Sequence, residues 1–201
     1  MRSERARRVL AAVGLGAALA LSGAPASGER IERILAVVDG RPLMLSEVRL
    51  LGRLRGLPAG PALEALIDEA LMFRESTRLP GTLATVEEEE RAYAELLERL
   101  GEPAGPLEPG LRRLARRQTA ILKYVAFRFG AQLRVEDEAV REAYRAEHAG
   151  EAEPPPFETV AGELRARLER EQLDLRVETW VRELRAGAEV RYNPEPEPGR
   201  P

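Results

Sequence analysis

The chain carries one histidine, His148, and no cysteine. A lone imidazole leaves nothing from which to build a histidine metal site or a triad with a spare His. Without thiols there are no disulfides, thiolate zinc sites, iron–sulfur clusters or cysteine nucleophiles. His148 falls where a helix is expected to end and reads as a surface residue. The carboxylates are numerous but placed for another purpose. Glu87 to Glu90, and Glu136, Asp137 and Glu138, stand at expected helix starts, where negative charge suits the backbone dipole. Glu151 and Glu153 lie in a linker. None of these reads as a general acid and base, and no metal-ligand spacing is evident. No Gly-Lys-Ser/Thr loop is present to cradle a phosphate. The expectation is a protein with no catalytic residue, no metal and no cofactor.

With 44% hydrophobic residues, the 201-residue chain can build a real core, of Leu, Val, Ile and Ala since aromatics are only 4%. The net charge is −3 with both signs interspersed, and no basic stripe exists for nucleic acid. Residues 34–38 form a short β-branched run. Asp39-Gly40 and then residues 42–45 follow, which reads as a hairpin whose second strand is an edge because of Pro42. Ser46 is the expected cap of a short helix with Val48, Leu51 and Leu54 inward. A second helix is expected from Pro61 to the Pro80-Gly81 stop, with Leu63, Leu66, Ile67, Ala70, Leu71 and Arg74 on one face. Thr85 and Glu88 form a capping box for a third, with Val86, Tyr93, Leu96, Leu97 and Leu100 as its stripe.

A loop at 101–110 precedes a longer helix over 111–133. Its main stripe is Leu111, Leu114, Gln118, Ile121, Leu122, Val125 and Phe129. Ala120, Tyr124, Phe127 and Ala131 form a second stripe roughly opposite. A helix apolar on two sides is either sandwiched or offers one side to a partner. Another helix runs from about Val135 to His148. After a Pro-rich linker at 149–156, a long helix covers 157–186. Phe157, Val160, Leu164, Leu168 and Leu175 mark one face of it. Leu173, Val177, Trp180, Val181 and Leu184 mark nearly the opposite face, which requires two packing partners or a kink. Gly187 stops it, 188–192 alternates as a last strand, and 194–201 reads as a disordered Pro-rich tail.

The first residues have the pattern of a secretory signal: Arg2, Arg5, Arg7 and Arg8, an apolar run at 9–21, then Ala24-Pro25-Ala26. That run is short of the roughly 20 residues needed to span a bilayer. Cleavage after Ala26 is expected, giving an exported, periplasmic protein with no stable membrane insertion. Its loss would remove four Arg and one Glu, making the mature chain more acidic.

Taken in order, several segments resemble one family. They are Arg33 to Gly40 with Leu43 to Val48, Ala65 to Glu75, Val135 to Tyr144, Pro156 to Val160, the Trp-containing helix, and Glu189 to Tyr192. The set resembles the SurA-type periplasmic chaperones (the SurA N-terminal, trigger-factor-like chaperone domain), a family also classed with parvulin-type peptidyl-prolyl isomerases. It covers roughly 30–193, with 30–148 as the N-terminal part and 157–193 as the C-terminal helix and strand. The resemblance implies a mainly α fold: a multi-helix chaperone core with a small antiparallel sheet formed by the N-terminal hairpin and the C-terminal strand. An independent argument agrees, since an isolated hairpin is marginal and a third strand supports it.

In that family a parvulin domain normally stands where this chain has only 145–156, too few residues to hold one. The resemblance therefore implies a non-enzymatic, ATP-independent chaperone. Its clients would be unfolded polypeptides, outer-membrane proteins foremost, held in an apolar groove. Met and aromatic side chains suit promiscuous contact, and the candidates are Met72, Phe73, Tyr93, Tyr124, Phe127 and Phe129. Tyr124 and Phe127, off the main stripe, lead that set. Two other readings stand beside this one: an isomerase-related protein with residual or partner-supplied activity, and a scaffolding subunit of an envelope complex.

Overall fold

A computed structural model describes residues 32–193. The expected signal at 1–26 and the expected tail at 194–201 lie outside the described residues. Strand β1 (Ile34–Val38) and strand β2 (Arg41–Met44) make the expected hairpin. Its turn places Asp39 at φ 47° and Gly40 at φ 82°, the left-handed pair that a two-residue hairpin loop requires. The last strand, β3 (Val190–Tyr192), pairs antiparallel with β1, so the sheet order is β2-β1-β3. Chain ends far apart in sequence thus share one sheet. Asp39 locks the junction: its carboxylate accepts the Glu189 N–H at 2.9 Å and also meets the Arg74 guanidinium.

Six α-helices follow the hairpin among the described residues: α1 (Leu45–Arg55), α2 (Ala59–Ser76), α3 (Val86–Leu100), α4 (Glu108–Phe129), α5 (Asp137–Glu147) and α6 (Phe157–Ala186). The fold is mainly α with a small antiparallel sheet, as expected. Several boundaries differ for local reasons. Helix α1 starts at Leu45, because the Glu47 carboxylate accepts the Met44 N–H at 3.3 Å and Ser46 is already helical. Pro61 sits in the first turn of α2, where its missing N–H has no intrahelical acceptor anyway. Helix α4 begins at Glu108 and ends at Phe129, after which a tighter turn at Gly130–Gln132 replaces the expected last turn. The capping box of α3 is present: Glu88 N–H donates to Thr85 Oγ1 at 3.3 Å, and Thr85 N–H to Glu88 Oε2 at 2.8 Å.

The main core gathers Leu43, Val48, Leu51, Leu66, Leu71 and Leu111, all essentially inaccessible, from β2, α1, α2 and α4. Helix α6 is continuous over 30 residues and belongs to two further clusters. Its first half packs Leu164 with Val135 and Val140, sealed by Tyr144, Phe157 and Leu168. Its second half buries Trp180 against Ile121, Tyr124, Val125 and Phe129, with Met72, Leu173 and Val177 alongside. The two-faced pattern is therefore resolved by two partners, α5 and the α2–α4 body. The Pro-rich linker closes the α5–α6 hairpin, with Tyr144 donating its hydroxyl hydrogen to the Pro155 carbonyl at 2.7 Å.

Three stripe assignments are corrected. Val86 (73% exposed), Leu122 (68%) and Leu175 (64%) face solvent. The second stripe of α4 also divides. Ala120 and Tyr124 are buried, because α4 packs against α3 on one flank and against α2 and α6 on others, which widens its covered face. Phe127, at 68%, stays open, as does Ala131 beyond the end of the helix. His148 is less exposed than expected: its side chain is 13% accessible, beneath the Tyr144 ring at 4.8 Å.

Candidate peptide-binding surface

The second half of α6 lies beside α2 and α4 because one aromatic cluster and one ionic cluster hold it there, while a second ionic cluster braces the body it packs on. In the aromatic cluster, Trp180 stacks on Tyr124 with centroids 5.2 Å apart and planes 25° apart. Phe129 meets it edge-on at 5.9 Å and 65°. Both geometries are favoured by ring quadrupoles. Arg128 lies over this group, 5.4 Å from the Phe129 centroid and 5.5 Å from Trp180.

The first ionic cluster clamps the end of α6 to α2. Arg185 donates to Glu64 Oε2 at 2.7 Å, to the Glu64 carbonyl at 3.0 Å, and to Asp68. The Asp68 hydrogen bond, with Glu64 added, holds the Arg185 pKa above its ordinary value. Tyr192 on β3 donates to Glu64 Oε1 at 2.9 Å. Desolvation first, and then that bond to an anion, push its phenol pKa up.

The second ionic cluster lies inside the body. Glu69 is 3% exposed and Arg117 is 5% exposed. Glu69 Oε2 accepts from Arg117 Nε at 3.1 Å, and Oε1 accepts from Gln118 Nε2 at 3.1 Å and from Arg55. Arg117 also lies 3.7 Å from Glu47. This network links α1, α2 and α4, and no sequence expectation included it. A signal existed: Arg117 falls between Leu114 and Ile121 on the buried stripe of α4, a place that tolerates a charge only with a partner.

Around this frame lie three hollows with apolar walls, and each contains one predicted residue. Between α2 and α6 a cleft of about 460 Å³ has Met72, Ala65, Val177 and Val181 among its lining. Between α4 and α6 a notch of about 340 Å³ has Phe129, Trp180 and Leu175 on its walls. Between α4 and the turn Pro80–Thr82 a hollow of about 320 Å³ is lined by Leu79, Ala126 and Phe127, with Lys123 at its edge. Lys123 donates to the Leu83 carbonyl at 2.9 Å and to Glu88 at 2.8 Å, which fixes Leu83 (49% exposed) beside this part of α4.

The other predicted residues stand elsewhere. Tyr124 and Phe129 are both 8% exposed, so Phe129 offers little more than an edge and Tyr124 is core. Phe73 is half-buried against the aromatic cluster, with Arg41 over its ring at 5.6 Å. Tyr93 packs on the main core under Arg112, whose guanidinium is 4.3 Å from the ring centroid. The six candidates therefore do not form one groove. A fourth hollow, about 480 Å³ beside His148, has Glu147 paired with Arg167 at 2.6 Å on its wall and contains none of the predicted residues. Among the described residues no group of acids, His or Cys is arranged to hold a metal ion, and no helix is long and apolar enough to cross a membrane. No model of a known protein family and no curated protein matches this chain.

Proposed function

We propose that the protein is an ATP-independent chaperone of the SurA type, exported to the periplasm, that holds unfolded polypeptides on its apolar hollows and has no isomerase activity of its own. The observation that carries this reading is the collection of large apolar side chains left in solvent around one end of α4. Phe127, Leu122, Leu83 and Val86 are all at least 49% exposed there, next to the hollow containing Leu79. Scattered exposed apolar residues are ordinary, but several gathered in one region mark interaction sites. Weak, reversible capture of an extended chain needs only such a surface.

The test is suppression of aggregation when a urea-denatured outer-membrane β-barrel protein is diluted into buffer. Phe127→Ala is expected to weaken holding while leaving thermal stability nearly unchanged, as for most surface substitutions. Tyr124→Ala is the contrast: it removes a ring stacked on Trp180 and is expected to cost about 3–5 kcal/mol of stability. Undiminished holding by Phe127→Ala would sink the assignment of this surface. Clear catalysis of prolyl-peptide isomerisation would sink the non-enzymatic reading.

A further inference from the structure

We propose that the notch between α4 and α6 recognises the C-terminal residue of an extended polypeptide, its apolar side chain on Leu175, Phe129 and Trp180 and its free carboxylate on Arg128. The inference rests on the holding function above and gives it a selectivity. Leu175 supplies an uncovered apolar wall, 64% exposed, at one side of the notch, and the buried Trp180 stands at the other. The charge of the notch is what selects an anion. Its lining places the Arg128 guanidinium at the edge of the aromatic cluster.

Arg128 is the distinctive group. Among the described residues it is paired with no carboxylate; its contacts are the two ring faces and a hydrogen bond to Tyr124 Oη at 3.4 Å. Ring contacts orient a guanidinium through its face and leave most of its five N–H donors for another acceptor. A carboxylate matches that planar fork with two parallel hydrogen bonds. Because the guanidinium stands directly over the rings, the carboxylate and the apolar side chain must come from nearly the same place on the ligand. A chain-terminal residue meets that requirement, since both groups leave one Cα. An internal acidic residue with an apolar neighbour must reach between two Cα atoms.

Trp180 is the only tryptophan of the chain and forms part of the wall, so its fluorescence reports occupancy directly. The probes are a Gly-Ser peptide ending in Phe as the free acid, the same peptide as the amide, and an end-blocked peptide with internal Glu-Phe. The free acid is expected to change Trp180 emission saturably, with the amide and the end-blocked peptide binding about tenfold or more weakly, the loss of one charge-assisted contact. Arg128→Gln is expected to weaken the acid by the same factor and leave the amide unchanged. Leu175→Ala, at an exposed position, is expected to weaken both peptides without lowering thermal stability. Equal binding of acid and amide would overturn the proposal, as would equal binding of the internal Glu-Phe peptide. So would an Arg128→Gln variant that only loses stability, which would make Arg128 a helix-end cation. If peptides leave Trp180 emission unchanged while aggregation is still suppressed, this proposal falls and the holding function stands. If the acid binds selectively but no client is held, the holding function falls instead.

Discussion

Arg117→Met is the perturbation that most directly tests how the body is held together. Arg117 and Glu69 are both nearly inaccessible, at 5% and 3%. Removing one member of a buried pair strands the other charge, which costs about 3–5 kcal/mol. Here the lower end applies, because Glu69 Oε1 keeps Gln118 at 3.1 Å and Arg55, and only Oε2 loses its donor. Urea unfolding reads the result. At a slope of about 2 kcal/mol per molar urea, a loss of about 3 kcal/mol lowers the midpoint by about 1.5 M with the slope unchanged. Arg55→Gln is the internal comparison: its side chain is 39% exposed, so it is expected to cost no more than about 1 kcal/mol. Glu69→Leu combined with Arg117→Met is expected to recover much of the loss, since no uncompensated buried charge remains and Arg55 reaches water. If Arg117→Met and Arg55→Gln lower the midpoint equally, burial is not what sets the strength of this network and the reasoning fails.

Three further substitutions test local packing and charge. A Cβ on Gly52 would stand 2.9 Å from the Leu57 carbonyl oxygen, a backbone atom, whereas a Cβ on Gly60 meets nothing within 4 Å; Gly52→Ala is expected to destabilise by about 1–2 kcal/mol and Gly60→Ala to stabilise by up to about 1 kcal/mol, read as urea midpoints. The Lys123 ammonium, and after it the Thr85 N–H, hold the Glu88 carboxyl below the ordinary carboxylate range. A lowered pKa in the folded state means its contribution is complete above the unfolded value of about 4.3 and is lost as pH falls through the folded value. Glu88→Gln is therefore expected to lie below the wild type in stability at pH 7 and to converge with it on acidification; a constant gap down to pH 2 would refute the assignment.

What could be read in the sequence was what is local. The Asp39-Gly40 turn, the Thr85–Glu88 box and the long helix over 157–186 each depend on residues within a few positions of one another, and each is present. The two faces of α6 were legible because apolar residues change sides midway, even though their partners were not. Tertiary neighbours were the hidden quantity. Leu122 and Leu175 fit their stripes by spacing, yet no element covers them. Tyr124 lies off the main stripe by spacing yet is buried, because the width of the buried face of α4 depends on α2, α3 and α6 packing round it. The pairing of Glu69 with Arg117 needed the same knowledge, and a charge on a helix face reads as solvent-facing until its partner is seen. For the candidate surface, the sequence distinguished residue types suited to contact but could not say which were covered. Spacing placed Tyr124 and Phe127 together off the main stripe and could not tell that Phe127 is open and Tyr124 covered, nor that Trp180 is a wall of a notch.

The position of α6 gives these separate features a common cause. One uninterrupted helix belongs to the hairpin core through Leu164 and to the body through Trp180. Between those two residues it passes from one set of partners to another, and in that stretch Leu175 is left 64% exposed. An apolar residue left open at a change of partners is therefore a geometric consequence of the two-faced pattern. The notch beside it follows, because α4 ends at Phe129 while α6 continues, leaving the edge of the aromatic cluster without a layer above it. Arg128, the last residue but one of α4, lies over that uncovered edge. The same arrangement that stabilises the return of the chain to the first strand thus leaves a site where apolar surface and an uncommitted positive charge meet.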